Sequence, residues 1–243
     1  MDFEKSIVGR LTEMAHTSDP DNSLWPENCA GSRKALVIFI GPSPGGKKEE
    51  KRHEFNSSVN NPLWNQPYLE PLQWSRGFRA SFKLIVENLF EKPYTEAAKL
   101  IARFNLDWMP NPESENVSID HMRNGILHIL PVLRQCNPML LIPMDNKTFE
   151  VIKDGLILDG FDIDPVVDDE IRILIYENEE GSSYHRHVKA VKATKGNLSF
   201  LVINSFQHPA RIFDEQYAVR IGKAIRITAE QIWNGDVVSF NIV

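Results

Sequence analysis

Ala35-Leu36-Val37-Ile38-Phe39-Ile40-Gly41-Pro42-Ser43-Pro44-Gly45-Gly46-Lys47 opens as an unbroken apolar run and stops abruptly at a Gly-Pro pair. An apolar, β-branched run without polar alternation reads as a strand buried on both faces, the habit of a parallel sheet. The glycines and prolines after it read as a loop at the strand's carboxyl end.

The same pattern recurs. Met139–Ile142 runs into Pro143-Met144-Asp145, and Leu198–Ile203 runs into the loop Asn204–Arg211. Between residues 100 and 106 the apolar positions alternate (Leu100, Ala102, Phe104, Leu106), giving a short strand that closes in Asp107-Trp108-Met109-Pro110-Asn111-Pro112. Helical spacing appears at Phe3, Ile7, Val8, Leu11 and Met14, and again at Phe78, Phe82, Ile85, Val86 and Leu89. It returns at Ile119, Met122, Ile126, Ile129, Leu130 and Leu133, and at Tyr217, Ile221, Ala224, Ile225, Thr228 and Ile232, stopping near Asn234-Gly235. The polar stretch up to about Ser32 and the segment Lys47–Leu72 read as loops.

Alternation of strand and helix predicts an α/β fold: a three-layer αβα sandwich with a mostly parallel central sheet. Ile171–Tyr176 and Tyr184–Ala193 flank a polar turn containing Gly181, the pattern of a β-hairpin, so residues 159–197 are expected to be an insertion or edge element. The whole chain, 1–243, reads as a single domain.

Composition narrows the class. With 42% hydrophobic residues the chain can bury a sizeable core. Met1–Asp19 intersperses Asp2, Glu4, Lys5, Arg10 and Glu13 among its apolar residues, which predicts neither a signal peptide nor a membrane span. Cys29 and Cys136 are the only cysteines, so no disulfide framework, zinc knuckle or iron–sulfur cluster is expected, and a cytoplasmic setting fits. His185 and His187 have metal-capable spacing but no visible third ligand, and neither a metal nor a cofactor is predicted. The net charge of −6 argues against broad phosphate binding, although Lys47, Lys48, Lys51 and Arg52 cluster around Glu49 and Glu50.

Gly41–Lys47 satisfies G-x-x-x-x-G-K, so a nucleotide-hydrolysing P-loop is one reading. Three features oppose it. Pro42 and Pro44 lack the N–H groups a phosphate cradle needs, Lys48 stands where a magnesium-binding hydroxyl belongs, and no apolar helical stripe follows. Met139–Asp145 would have to supply the magnesium-binding Asp.

Read as G-x-x-P-G, the same loop resembles the first motif of the uracil-DNA glycosylase superfamily. His208-Pro209-Ala210-Arg211, after the last buried strand, is similar to that family's His-Pro-Ser loop. Phe104-Asn105-Leu106-Asp107-Trp108-Met109-Pro110 is similar to the strand whose Asn reads the base edge, and Ser75–Phe90 falls where the family has an aromatic-bearing helix. The likeness covers roughly residues 35 to 233.

The resemblance implies a DNA glycosylase-like hydrolase removing uracil or another damaged base flipped out of DNA. In it His208, held by Pro209, stabilises the departing base, and Asn105 reads it with one donor and one acceptor. Gly41, Pro42, Pro44 and Gly45 shape the pocket. Phe55, Tyr68, Trp74 and Phe78 are the candidates to stack on the base. An Asn before Asp and Pro is equally at home making a turn, and the aromatics of Gly77–Phe90 suit a core.

Ser43 stands where many such enzymes carry Asp or Asn to activate water, and a hydroxyl positions water but accepts a proton poorly. Asp107 falls on the face of Asn105 if the strand continues, and is the expected substitute carboxylate. Ala210 replaces the family's Ser, leaving Arg211 as the phosphate contact. The alternative within the same fold is a catalytically inactive nucleic-acid or nucleotide-binding protein.

Overall fold

A computed structural model describes residues 29–31, 34–43, 76–107, 117–166, 172–177, 183–204, 208–212 and 214–234. The expected helix at Phe3–Met14, the aromatics Phe55, Tyr68 and Trp74, and the loop residues Pro44, Gly45 and Lys47 lie outside them.

In chain order the elements are β1 (Cys29–Gly31), β2 (Val37–Gly41), α1 (Arg76–Phe90), α2 (Tyr94–Ala97), a 3-10 turn (Ala98–Leu100) and β3 (Ile101–Asn105). Then come α3 (Ile119–Cys136), β4 (Leu140–Pro143), α4 (Asn146–Leu158), β5 (Asp162–Pro165), β6 (Arg172–Glu177) and β7 (Ser183–His187). The last are β8 (Ala190–Lys195), β9 (Leu198–Ile203), a 3-10 turn (Pro209–Arg211) and α5 (Glu215–Asn234).

Seven strands form one sheet in the order β1-β3-β2-β4-β9-β8-β5. The central β3-β2-β4-β9 block is parallel, while β1, β8 and β5 join antiparallel at the two sides. Each face of the sheet carries its own core. Val37, Phe39, Ile101, Leu140 and Ile142 pack under α1 and α5. Ile38, Ile40, Ala102, Phe104 and Leu141 pack under α3 and α4. That is the three-layer α/β sandwich expected from the sequence, because the central strands β2, β3 and β4 bury both of their alternating faces.

The hairpin needs redrawing. β6 and β7 pair with each other in a separate two-stranded ribbon. The second expected run, Tyr184–Ala193, is divided: its later half becomes β8, bonded to β9 from Ala190↔Ile203 to Lys195↔Leu198. Only the middle of residues 159–197 is therefore inserted, since β5 and β8 extend the main sheet.

Local chemistry fixes the helix ends on either side of β4, one at each rim of the sheet. Asp145 caps α4 by accepting from the Thr148 N–H at 2.7 Å. That structural duty accounts for the carboxylate that a P-loop reading would assign to magnesium. α3 ends at Asn137, whose left-handed backbone (φ 45°) returns its N–H to the Leu133 carbonyl ahead of Pro138.

Parallel order 3-2-4-9 reverses chain direction of travel between β2 and β4, the place where α/β sheets open a crevice beyond their carboxyl ends. Pro143 widens that end. β4 pairs with β2 as far as Ile40↔Pro143, but with β9 only to Leu141↔Val202, because proline has no N–H to continue the ladder. No helix among the described residues is long and apolar enough to cross a membrane.

The tightest contact in this scaffold is Gly125 of α3 against β3. A Cβ on Gly125 would stand 1.7 Å from the Leu106 carbonyl oxygen. Gly125→Ala must push α3 off the end of β3, and we expect a loss of about 3 kcal/mol or more in denaturant unfolding. A loss below about 1 kcal/mol would mean that α3 does not rest on Leu106 as described.

Candidate functional site

The carboxyl ends of β2 and β3 are stitched together beyond the strands proper. Leu106 N–H donates to the Gly41 carbonyl at 2.9 Å, and Asp107 N–H donates to the Pro42 carbonyl at 2.8 Å. Gly41 and Asn105 are direct partners in the ladder. The Asn105 side chain lies flat over Gly41, where a Cβ would come within 2.5 Å of Oδ1 and 3.8 Å of the Met144 sulfur. Only glycine admits this approach, and Asn105 is fully buried as a result.

Strand alternation then sets which face each group serves. Ile101, Arg103 and Asn105 share one face of β3, and Ile101 belongs to the core under α1. Arg103 is buried there, with its guanidinium carbon 5.0 Å from the centre of the Phe78 ring of α1. His208 approaches the same ring from the other end of the chain, its imidazole 5.3 Å from Phe78 and tilted by 45°. Asn105, Arg103, Phe78 and His208 are thus gathered on one side of the sheet.

The turn that carries His208 is built from its own chain. Pro209 starts a 3-10 turn, Arg211 N–H donates to the His208 carbonyl at 2.8 Å, and Ile212 N–H donates to that of Pro209 at 3.1 Å. Ser81 of α1 anchors it by donating from Oγ to the Ile212 carbonyl at 2.9 Å. Inside the turn, Ala210 N–H donates to His208 Nδ1 at 3.3 Å, so the neutral ring carries its proton on Nε2.

Burial pushes the His208 pKa down to about 3, with the nearby positive charges of Arg103 and Arg211 acting in the same direction. At neutral pH the residue is therefore an uncharged hydrogen-bond donor.

Other expected site residues fall as follows. Ser43 is buried at the turn after β2, and Pro209 is buried in the His208 turn. Arg211 is exposed beside His208. Phe78 is placed differently from its expected role as a stacking platform: it is 4% exposed and stacked on Phe82 at 5.5 Å, so it backs the imidazole from within the core. Asp107 also departs from expectation. β3 ends at Asn105, and beyond that bend the Asp107 carboxylate turns to α3, with Oδ2 3.5 Å from His121 Nδ1. Its premise, that the strand continues and keeps Asp107 on the face of Asn105, does not hold.

Two residues of this region were not singled out in the sequence. Arg103 was signalled by a charge inside an apolar strand. Asn204, buried at the exit of β9, donates from Nδ2 to Asn146 Oδ1 and so ties the start of the His208 loop to the first turn of α4. Among the described residues no three His, Cys, Asp or Glu side chains converge as a metal site. A void between the sheet and α3, lined by Ile40, Leu106, Ile126 and Leu141 among other apolar residues, has room for about one water and nothing polar to hold it.

The depressed histidine has a thermodynamic consequence. An unfolded chain takes up this proton near 6.5, whereas the folded chain refuses it until about 3, so unfolding binds a proton in that window. Stability falls as pH drops from about 6.5 toward 3, and His208→Gln, which never charges, is expected to lessen that fall in urea titrations at stepped pH. An identical pH dependence in both proteins would show that His208 is not held neutral. No protein-family model matches this chain, and no curated protein matches it.

Proposed function

We propose that this chain hydrolyses N-glycosidic bonds, as a glycosylase of the uracil-DNA glycosylase type acting on uracil or another damaged base in DNA. The observation that carries the reading is that a neutral, Nε2-protonated His208, in the loop after β9, and a buried Asn105, at the carboxyl end of β3, lie on the same side of the sheet.

Breaking the bond between C1′ and the base nitrogen sends the electron pair onto the base and leaves positive charge on the sugar. A preorganised N–H aimed at a base carbonyl stabilises that negative charge most in the transition state. His208 Nε2–H is such a donor, and needs no proton transfer to act. In this reading Asn105, whose side chain fills the space beside Gly41, offers its amide to the imide edge of a uracil-like ring. Ser43 at the end of β2 has the role of orienting water toward C1′. Attack on an oxocarbenium-like carbon demands an aligned water more than a strong base, and the water's proton passes to solvent as the base takes up its own.

A second reading, a base- or nucleotide-binding protein of the same fold, has its own support. Asp107 faces His121 and Ser43 is neutral, so no carboxylate described here takes the water-activating position. The nucleotide-hydrolase reading is weaker still, since Asp145 serves as a helix cap.

Pure protein incubated with an oligonucleotide containing one uracil, then with alkali, separates the readings. Strand scission that falls about 100-fold or more on His208→Ala is the expected result. Gly41→Ala, which displaces Asn105, should lower the rate about tenfold or more while the protein stays folded. The wild-type rate should show no acid limb attributable to His208 between pH 8 and 5, because the donor form persists to about 3. No scission on uracil or on a panel of damaged bases, together with tight binding of the same strands, would replace the enzyme with the binder.

A further inference from the structure

The separate β6–β7 ribbon has a defined place beside the candidate site. β8 is antiparallel to β9, and its first residue, Ala190, stands opposite Ile203, the last of β9. β5 in turn ends at Pro165, opposite Val191 of β8. The chain therefore leaves the main sheet after β5 and re-enters it at β8 on the carboxyl rim, and the ribbon lies between those two points. Backbone hydrogen bonds root it there. Val166 N–H donates to the Ala190 carbonyl at 3.3 Å, and Asn204 N–H, at the start of the His208 loop, donates to the Lys189 carbonyl at 3.0 Å. β6 lies against α5, and Val188, just after β7, is buried in the core under α1 and α5. The ribbon thus rises from the same rim as the His208 loop, toward the side of the sheet that holds Asn105 and His208.

The ribbon is also where the charge of the chain changes sign. Residues 183–213 contain Arg186, Lys189, Lys192, Lys195 and Arg211 and no Asp or Glu, in a chain whose net charge is −6. That stretch runs from β7 through β8 and β9 to the His208 turn. Lys189, Lys192 and Lys195 are engaged within the fold, with Glu150 at 3.0 Å, the Trp233 ring at 5.6 Å and Asp159 at 2.9 Å. β7 belongs to the separate ribbon, and there His185 and His187 alternate onto one face, in register with Leu174 and Arg172 of β6, and both are exposed. An imidazole donates a hydrogen bond to a phosphate oxygen in either protonation state.

We propose that β7 is a nucleic-acid contact: a strand that lies along the phosphate backbone of the DNA beside the nucleotide held in the candidate site, with His185 and His187 donating to phosphate oxygens. The inference deepens the glycosylase reading and rests on it for the identity of the polymer. A two-stranded ribbon is narrow enough to follow a groove of the duplex. Contacts to phosphate fix register and orientation without reading sequence, so the strand is held from β7 while the base is read at Asn105. The charge distribution agrees with this division. An acidic surface repels the polyanion, and the acid-free stretch leaves open an approach that leads along the ribbon to the rim.

The test is the affinity of the whole chain for a fluorescent DNA duplex without uracil, followed by anisotropy between about 50 and about 200 mM salt. His185→Glu combined with His187→Glu should weaken binding about tenfold or more at the low-salt end. His185→Lys combined with His187→Lys should tighten it and steepen the fall of log affinity with log salt by up to about two. Lys99→Glu makes the same change in net charge as the paired Glu variant, at the exposed turn before β3 on the opposite rim, and should leave affinity within about twofold. Circular dichroism checks that each variant is folded. Wild-type protein without salt-dependent binding, folded β7 variants that bind as the wild type does, or an equal loss in Lys99→Glu overturns the proposal. So does a dimer joined through β7, seen in sedimentation, with no change in DNA affinity. Because the duplex carries no uracil, a chain that binds through β7 yet never cuts uracil keeps the contact and loses the glycosylase, and one that cuts uracil with β7 irrelevant to binding does the reverse.

Discussion

The absence of a side chain at Gly41 is the constraint on which the candidate site depends. Asn105 lies where the Cβ of any other residue would be, so the amide can be fully buried and still sit at the last rung of the β2–β3 ladder. That ladder then runs on through Leu106 and Asp107, which hold the Gly41-Pro42 turn by two backbone hydrogen bonds. A larger residue at 41 would push Asn105 sideways and release the turn that carries Ser43, because both depend on the same close approach. The floor of the site is therefore a backbone feature first and a side-chain feature second.

The helices on the far face make that floor stiff. Gly125 brings α3 against the Leu106 carbonyl, and Gly155 lets α4 close on Ile126 of α3, where a Cβ would meet the Ile126 methyl at 2.1 Å. Close helix approach leaves the carboxyl ends of β2 and β3 little room to shift, which is what a recognition group needs if a fraction of an ångström matters. On the near face the His208 turn is held differently. Ser81 and Phe78 on α1 clamp it, so its position relative to Asn105 is set through the helix. Two clamps of separate origin converge on one rim.

What the sequence made legible follows from where burial was continuous. Val37–Gly41, Leu140–Pro143 and Leu198–Ile203 are parallel strands buried on both faces, and apolar runs with sharp ends announce them. The three-layer order followed from those runs and the helical stripes between them. β1 was hidden because it owes its place to backbone pairing: Gly31 adopts φ +114° against β3, and no apolar pattern marks it. α4 was hidden because exposed Ile157 and Leu158 blur its stripe and Gly155 interrupts it. Asp107 misled because the face of a strand residue can be counted only while the strand lasts, and β3 ends two residues earlier. The split of Tyr184–Ala193 between ribbon and sheet depends on long-range pairing that local propensity does not encode.

Polar residues inside β3 carry a lesson about alternation itself. An apolar–polar strand pattern ordinarily marks one solvated face, yet Arg103 and Asn105 point under α1 and are buried. Burying a charge and an amide in the middle of a sheet is unfavourable unless each is matched by its surroundings, so such positions are kept where chemistry is done. The molecule carries a net charge of −6, which sets a repulsive background for a polyanion. Arg103 is buried with its guanidinium against the Phe78 ring that also meets the His208 imidazole, so any polar group that reaches this side of the sheet meets its charge in surroundings where water and salt screen little.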